Sequence, residues 1–237
     1  MLLAIETATQ QLGVAVVDGE RLLASFDLLA EHPHAVELPG AVSRALQAAH
    51  VTLPQLAAIA VDVGPGSFTG LRIGMAFAKA LAFTHKTPMV GVPSLDVLAA
   101  QVPFSPDPVC ALLDARRRNL YAACYDTPNG SARSGYRLAP IDEVLQEVSG
   151  PAVFVGDGAA LYRQQILERY PQARFAPEEL WRPHAATLAR LAQARFERGQ
   201  RDDPATLTPM YLYAQTCQIN PTVSTRAAGA PRTPLVL

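Results

Sequence analysis

The sequence predicts an α/β fold built on a mixed sheet, and three observations support that expectation. The chain opens with three β-rich runs, residues 2–5, 12–17 and 21–28, before any helical periodicity begins. Asp18-Gly19 separates the second run from the third, and both positions tolerate the positive φ that a two-residue hairpin turn requires. From there apolar strands alternate with helical stretches, the order expected when an antiparallel start is joined to parallel strands by right-handed crossovers.

Taken in order, the first helix is expected over residues 34–49, where Leu38, Val42, Ala45, Leu46 and Ala49 recur at three- and four-residue spacing. Pro39 lies in its first turns, where a missing N–H costs least. Residues 56–63 form a continuous β-branched run, as in a parallel strand buried on both faces. Gly64-Pro65-Gly66 turns that strand into a second helix, residues 68–84. A short strand over 89–92 follows, and Ser94 is expected to N-cap a third helix, 95–101, with Asp96 in its first turn.

Pro103, Pro106 and Pro108 then interrupt the pattern. Beyond them residues 109–113 and 120–125 read as a hairpin around Asp114-Ala115-Arg116-Arg117-Arg118-Asn119. A strand near Tyr136, a helix over 141–148, a strand over 152–155 and a helix over 159–169 come next. Leu188, Leu191, Ala192 and Phe196 mark the last helix, 184–198, which Gly199 closes. The expected organisation is a first lobe over 1–102, completed by the helix at 184–198, and a smaller second lobe over 103–183. A C-terminal segment over 199–237 ends in a tail, from about residue 218, without periodicity. That tail is expected to be mobile or to fold only against a partner.

Composition excludes several classes of function. With 237 residues, 49% hydrophobic and 17% charged, the chain can bury a core without metal or disulfide support. Lys plus Arg number 20 against 21 for Asp plus Glu. Autonomous nucleic-acid binding normally needs a basic excess to neutralise phosphates, and none is present. Cys110, Cys124 and Cys217 are widely spaced and read as reduced thiols. No apolar run reaches the roughly 18 residues of a membrane span, and the opening residues carry no basic leader. A cytoplasmic protein without membrane contact is expected.

The most distinctive stretch is Gly64-Pro65-Gly66-Ser67-Phe68-Thr69-Gly70-Leu71-Arg72-Ile73-Gly74. It places backbone N–H groups at a helix N-terminus, yet its spacing matches neither the Walker A loop nor the dinucleotide fingerprint. Small residues do recur every four positions: Gly66, Gly70, Gly74, Ala78 and Ala82. Each interior glycine costs about 0.8–1 kcal/mol relative to alanine, so a close backbone approach must offset it. Two readings stand. The row packs against this chain's own sheet, or it seats a helix of a second subunit, with Phe68 and Leu71 beside it. On the second reading a Leu at Gly70 or Gly74 abolishes assembly and leaves the fold intact.

These residues carry a resemblance. Ile5-Glu6-Thr7-Ala8-Thr9, the Gly64–Gly74 run, Pro93-Ser94-Leu95 and Asp114-Ala115-Arg116-Arg117 are similar to the TsaB family, with further fits at Gly156-Asp157-Gly158 and Pro209-Met210-Tyr211-Leu212. The resemblance implies the actin/Hsp70/sugar-kinase-like fold, with two ribonuclease-H-like lobes and mixed sheets. It implies a role in placing threonylcarbamoyl on the adenosine next to the tRNA anticodon, as a partner of the catalytic subunit TsaD and the ATPase TsaE. On this reading tRNA is met only through the complex, and the chain is a homodimer when alone. The chain alone binds no cofactor, and ATP or ADP is placed at an interface of the complex.

The residues argue against the chain being the catalyst. Where the related catalytic subunit carries a metal-binding His pair, this chain has Ser94 and Leu98, and Leu cannot ligate a metal. No catalytic residue and no metal site is assigned. Thr7, Thr9, Gly156, Asp157 and Gly158 are candidate remnants of phosphate loops. Arg116, Arg117 and Arg118 are either a solvated hairpin tip or a basic contact for tRNA or an acidic subunit. The candidate interface comprises Leu38, Val42, Ala45, Gly66, Phe68, Gly70, Leu71, Gly74 and Ala78. The rival readings are an autonomous ATP-dependent kinase or ATPase of the same fold and a glycoprotease-like peptidase.

Overall fold

The computed structural model describes residues 1–29, 34–126, 132–133 and 135–212. Strands β1 (Leu2–Glu6), β2 (Gln11–Asp18), β3 (Arg21–Leu29), β4 (Ala58–Gly64) and β5 (Met89–Pro93) form one sheet in the order β3-β2-β1-β4-β5. The first three are antiparallel neighbours, and β4 and β5 run parallel to β1. Side chains alternate across this sheet with the period of two that strands impose. Leu3, Ile5, Val14, Val16 and Val61 meet α1 (His34–Ala49) and α2 (Phe68–His85) on one face. Leu2, Ala4, Ala15, Val17 and Ala60 meet α7 (Ala185–Glu197) on the other.

The second sheet repeats the first strand for strand. Strands β6 (Val109–Asp114), β7 (Leu120–Tyr125), β8 (Arg137–Ala139), β9 (Val153–Val155) and β10 (Arg174–Phe175) lie in the order β10-β9-β6-β7-β8. Again the first three pair antiparallel and the last two join parallel. Helix α4 (Ile141–Leu145) stands where α1 stands in the first half, and α5 (Asp157–Leu161) with α6 (Arg163–Arg169) replaces α2. The two mixed five-stranded sheets give the α/β architecture of the actin/Hsp70/sugar-kinase-like fold. Residue identities hide the duplication, because strand alternation and turn placement are all that the repeated topology requires.

Helix α3 (Ser94–Ala100) joins the halves, its Leu95, Leu98 and Ala99 packing on Val109, Ala111 and Ala123 of the second sheet. Two phenols reach back across that junction: Tyr125 and Tyr136 both donate to Asp96 Oδ1, at 2.8 and 2.9 Å. Burial raises the Asp96 carboxyl above its usual range, and the two donated hydrogen bonds oppose that rise. Gln101 ties the end of α3 to the start of α7, donating to Leu180 O and Arg182 O and accepting from His184 N.

Several expectations need correction. Ser94 is the first residue of α3 and makes no cap; its hydroxyl donates to Asp62 instead. The helix expected over 159–169 is two helices, divided at Tyr162, where the backbone leaves the helical region. Strand β10, only two residues long, is too short for any alternation to reveal. The tail from 218 lies outside the described residues, as does Cys217. Among the described residues no helix is long and apolar enough to cross a membrane.

Candidate protein interface

The C-terminal ends of β1, β4 and β5 meet at a buried polar cluster. Asp62 Oδ1 accepts from the Gly64 amide and the Ser94 hydroxyl, each at 2.6 Å. Glu6 Oε1 accepts from the Ala8 amide at 2.7 Å. Glu6 Oε2 and Asp62 Oδ2 are both fully buried and find no donor. A proton on one of the two carboxyls would give the pair a donor. Desolvation and the neighbouring Asp62 charge push Glu6 well above the usual carboxylate range, which favours its protonated form. Asp62 is raised by its own burial, against the hydrogen bonds it accepts.

The turn after β1 lies directly on α2, and this decides the glycine row. A Cβ on Gly66 would stand 2.3 Å from Ala8 O, and one on Gly70 2.1 Å from Thr7 O. Ser67 N–H donates to Ala8 O at 2.7 Å, fixing the same contact. The row is therefore filled by this chain's own turn. Leu38, Val42, Ala45, Leu71 and Ala78 are likewise buried inside the first lobe. The assignment of these residues, with Gly70 and Gly74, to a subunit interface is corrected: they cannot meet another chain without opening the core, and half-buried Gly66 is covered on its Cβ side by Ala8. Of the nine, Phe68 alone is exposed, at 53%.

The candidate phosphate-loop residues are built into this chain's own packing, and the buried Thr7 hydroxyl finds no hydrogen-bond partner. Thr9 Oγ1 accepts from Gln11 N at 3.1 Å, and Thr9 O accepts from His34 Nε2 at 2.9 Å. Thr7 turns its side chain toward Gly74. In the second half Asp157 accepts from Asp114 N at 2.9 Å and from Gly158 N, so a carboxylate occupies the start of α5. A Cβ on Gly156 would stand 2.0 Å from Leu112 O and one on Gly158 2.6 Å from Leu120, which makes these glycines packing residues. Arg116, Arg117 and Arg118 form an exposed tip, all three with positive φ, and Arg116 pairs with Asp114 at 3.4 Å. Ser94 is bonded to Asp62 and Leu98 is core. Among the described residues no group of three or more His, Cys, Asp or Glu is placed to hold a metal.

What remains open is the outward side of α2. Phe68, Arg72, Ala76, Lys79 and Phe83 recur at four, four, three and four residues and share one stripe. Phe83 is 59% exposed, and Val36 on α1 is 68% exposed. Helix α2 carries no acidic residue. The Arg72 guanidinium lies 3.9 Å over the Phe68 ring, and its Nε donates to Tyr211 Oη at 3.1 Å. Tyr211 sits 5.3 Å from Phe68, centroid to centroid, and the adjoining Met210 amide donates to Val63 O at 2.6 Å. A C-terminal strap thus holds Arg72 flat at the start of the open face.

The comparisons with known proteins agree with this architecture. A family model described as "TsaD: tRNA N6-adenosine threonylcarbamoyltransferase" matches residues 28–220. The Escherichia coli (strain K12) tRNA threonylcarbamoyladenosine biosynthesis protein TsaB is 34% identical over 219 residues, 89% of this chain and 94% of that protein. The Bacillus subtilis (strain 168) protein of the same name is 32% identical over 170 residues, 70% of this chain and 74% of the other. The chain belongs to the TsaB family. A solved structure titled YeaZ from Pseudomonas aeruginosa superposes with a TM-score of 0.76 at 29% identity, covering 89% of this chain and 99% of that one. A ROK hexokinase from Thermus thermophilus, at 15% identity and a TM-score of 0.51 over 82% of this chain and 99% of its own, shares the fold alone.

For a TsaB-family chain, the residues that sequence reasoning missed are the ones that define the surface. Ala76, Ala80 and Phe83 lay on the side of α2 opposite the glycines, hidden by the more distinctive row. Tyr211 lies 139 positions from Arg72, so no local pattern could pair them. The helical wheel of α2 did hold a signal: the charged residues Arg72 and Lys79 fall away from Gly70 and Gly74, which marks the outward face.

Proposed function

We propose that this chain is a non-catalytic subunit in the biosynthesis of threonylcarbamoyladenosine in tRNA, and that it holds the catalytic subunit TsaD through the outward faces of α1 and α2. One observation carries this reading: α2 seals its small-residue side within the chain and leaves a stripe of aromatic, alanine and cationic residues open. Ala76 lets a partner helix approach closely, while Phe68 and Phe83 offer large apolar anchors two turns to either side. The family assignment and the match to a TsaD family model favour TsaD as that partner.

The turn after β1 and the start of α5 support the non-catalytic half of the proposal. A phosphate approaching the turn after β1 finds the Ala8 and Gln11 amides already bonded to Glu6 and Thr9. At the start of α5 it meets the carboxylate of Asp157. Nucleotide, in this account, binds at an interface of the complex and not in the chain alone. Two copies cover the same face on each other when TsaD is absent, as a two-fold symmetric pair. TsaE and tRNA join through the complex.

The test is reconstitution of tRNA threonylcarbamoylation with TsaD, TsaE and a source of threonylcarbamoyl-adenylate, with and without this chain. Modification should require it. Titration of the isolated chain with Mg-ATP should give no binding heat, and tight binding would favour the autonomous kinase or ATPase reading.

A further inference from the structure

Cys110 on β6 and Cys124 on β7 are direct cross-strand partners. The register runs without a break from Val109↔Tyr125 to Asp114↔Leu120, and the next pair is closed by the Ala115 N–H donating to Asn119 O. Hydrogen-bonded and open pairs alternate along such a ladder, so counting back from Ala115 makes Cys110/Cys124 an open pair. The Cys124 carbonyl agrees: it faces away from β6 and accepts from Arg133 N at 2.7 Å. Open pairs bring Cα atoms to about 4.5 Å, inside the range that disulfides span. Directly opposite residues project to the same face of the sheet, and both cysteines belong to the same core cluster of the second half.

The two thiols are not equivalent. The hydrogen bond from Cys110, with Arg133 and Arg137 nearby, lowers the Cys124 thiol, whereas that bond and burial raise Cys110. Cys110 is 1% exposed and Cys124 4%, and beside Cys124 the sheet continues past β8 only as the isolated bridge between Tyr125 and Ala132 and the Arg133 amide bond to Cys124 O. Local opening of that short edge admits a small oxidant.

We propose that Cys110 and Cys124 are a reversible dithiol–disulfide site that hydrogen peroxide closes. The Cys124 thiolate attacks a peroxide oxygen, the O–O bond breaks, and a sulfenic acid and one water form. The Cys110 sulfur then attacks the sulfenic sulfur. The S–S bond forms, the S–O bond breaks, and the hydroxyl leaves as a second water with the remaining proton. Two thiols are oxidised and one peroxide is reduced to two waters. The cross-link clamps the open end of the hairpin whose other end carries Arg116, Arg117 and Arg118.

The experiment treats the full-length folded protein with hydrogen peroxide, then counts thiols after denaturation and maps peptides without reduction. Two of the three thiols should be lost to a Cys110–Cys124 cross-link, with a mass decrease of about 2 Da, and dithiothreitol should restore both. In Cys110→Ser, dimedone should trap a sulfenic acid on Cys124, while Cys124→Ser should leave Cys110 unlabelled. Retention of all three thiols, a cross-link through Cys217, or sulfinic acid without a cross-link would each overturn the proposal. The wild-type map decides the matter even if a variant folds poorly.

Discussion

Thr7 stands where Gly74 would carry a side chain: a Cβ built on Gly74 falls 2.2 Å from the Thr7 hydroxyl oxygen. With Gly66 and Gly70 against Ala8 and Thr7, this contact seats the turn after β1 on the first half of α2. The helix forgoes about 0.8–1 kcal/mol at each interior glycine and gains close packing within one chain. On the proposed function, assembly uses the opposite side of the helix.

Gly70→Ala should lower the melting temperature. The added methyl meets a backbone carbonyl, and overpacking of that kind costs about 1–3 kcal/mol, against a helix-propensity gain of about 1. For a chain of this length each kcal/mol moves the midpoint by about 2–4 °C. Calorimetry checks this, and an unchanged or higher midpoint would show that the row has room.

Glu6→Gln should help more as the pH rises. Glu6 keeps its proton in the folded state at pH values where the unfolded chain has released it. Its contribution is present below the ordinary carboxylate range and is lost as pH climbs through the raised value. The amide donates to Asp62 at every pH. Urea midpoints from about pH 5 to about pH 8 should show a widening gap in favour of the variant. A gap that stays constant or narrows would mean that Glu6 holds no proton beside Asp62.

Tyr211→Ala should loosen the C-terminal strap without unfolding the chain. The substitution removes the Arg72 hydrogen bond and the ring contact with Phe68, worth about 1–2 kcal/mol locally. Hydrogen exchange of the Met210 amide, bonded to Val63 O, should accelerate about five- to thirty-fold. Unchanged exchange there would show that the backbone bond alone secures the strap.

Much of the first sheet was legible because its strands and helices are long enough to express a period. The hairpin lies one residue beyond the Asp18-Gly19 expectation: Asp18 pairs with Arg21 at the end of β2, Gly19 and Glu20 make the turn, and of these only Gly19 has positive φ; α1 spans His34–Ala49 as its spacing indicated. The second half was harder: β8, β9 and β10 have three, three and two residues, too few for alternation to stand out. The candidate interface failed for a different reason. Small residues at four-residue spacing report a close approach, but they do not report whose backbone approaches. Only the tertiary position of Thr7 and Ala8 resolves that, just as only folding brings Tyr211 to Arg72.

The most direct test compares two variants in reconstituted tRNA threonylcarbamoylation. Ala76→Glu alters the exposed stripe of α2 and should leave the stability of the isolated chain within about 0.5 kcal/mol. Asp157→Asn alters the carboxylate at the start of α5. The account predicts that Ala76→Glu abolishes co-elution with TsaD and loses modification, while Asp157→Asn retains both. Full modification with Ala76→Glu, together with loss of activity but intact co-elution in Asp157→Asn, would place the work of this chain at the start of α5 and contradict the account.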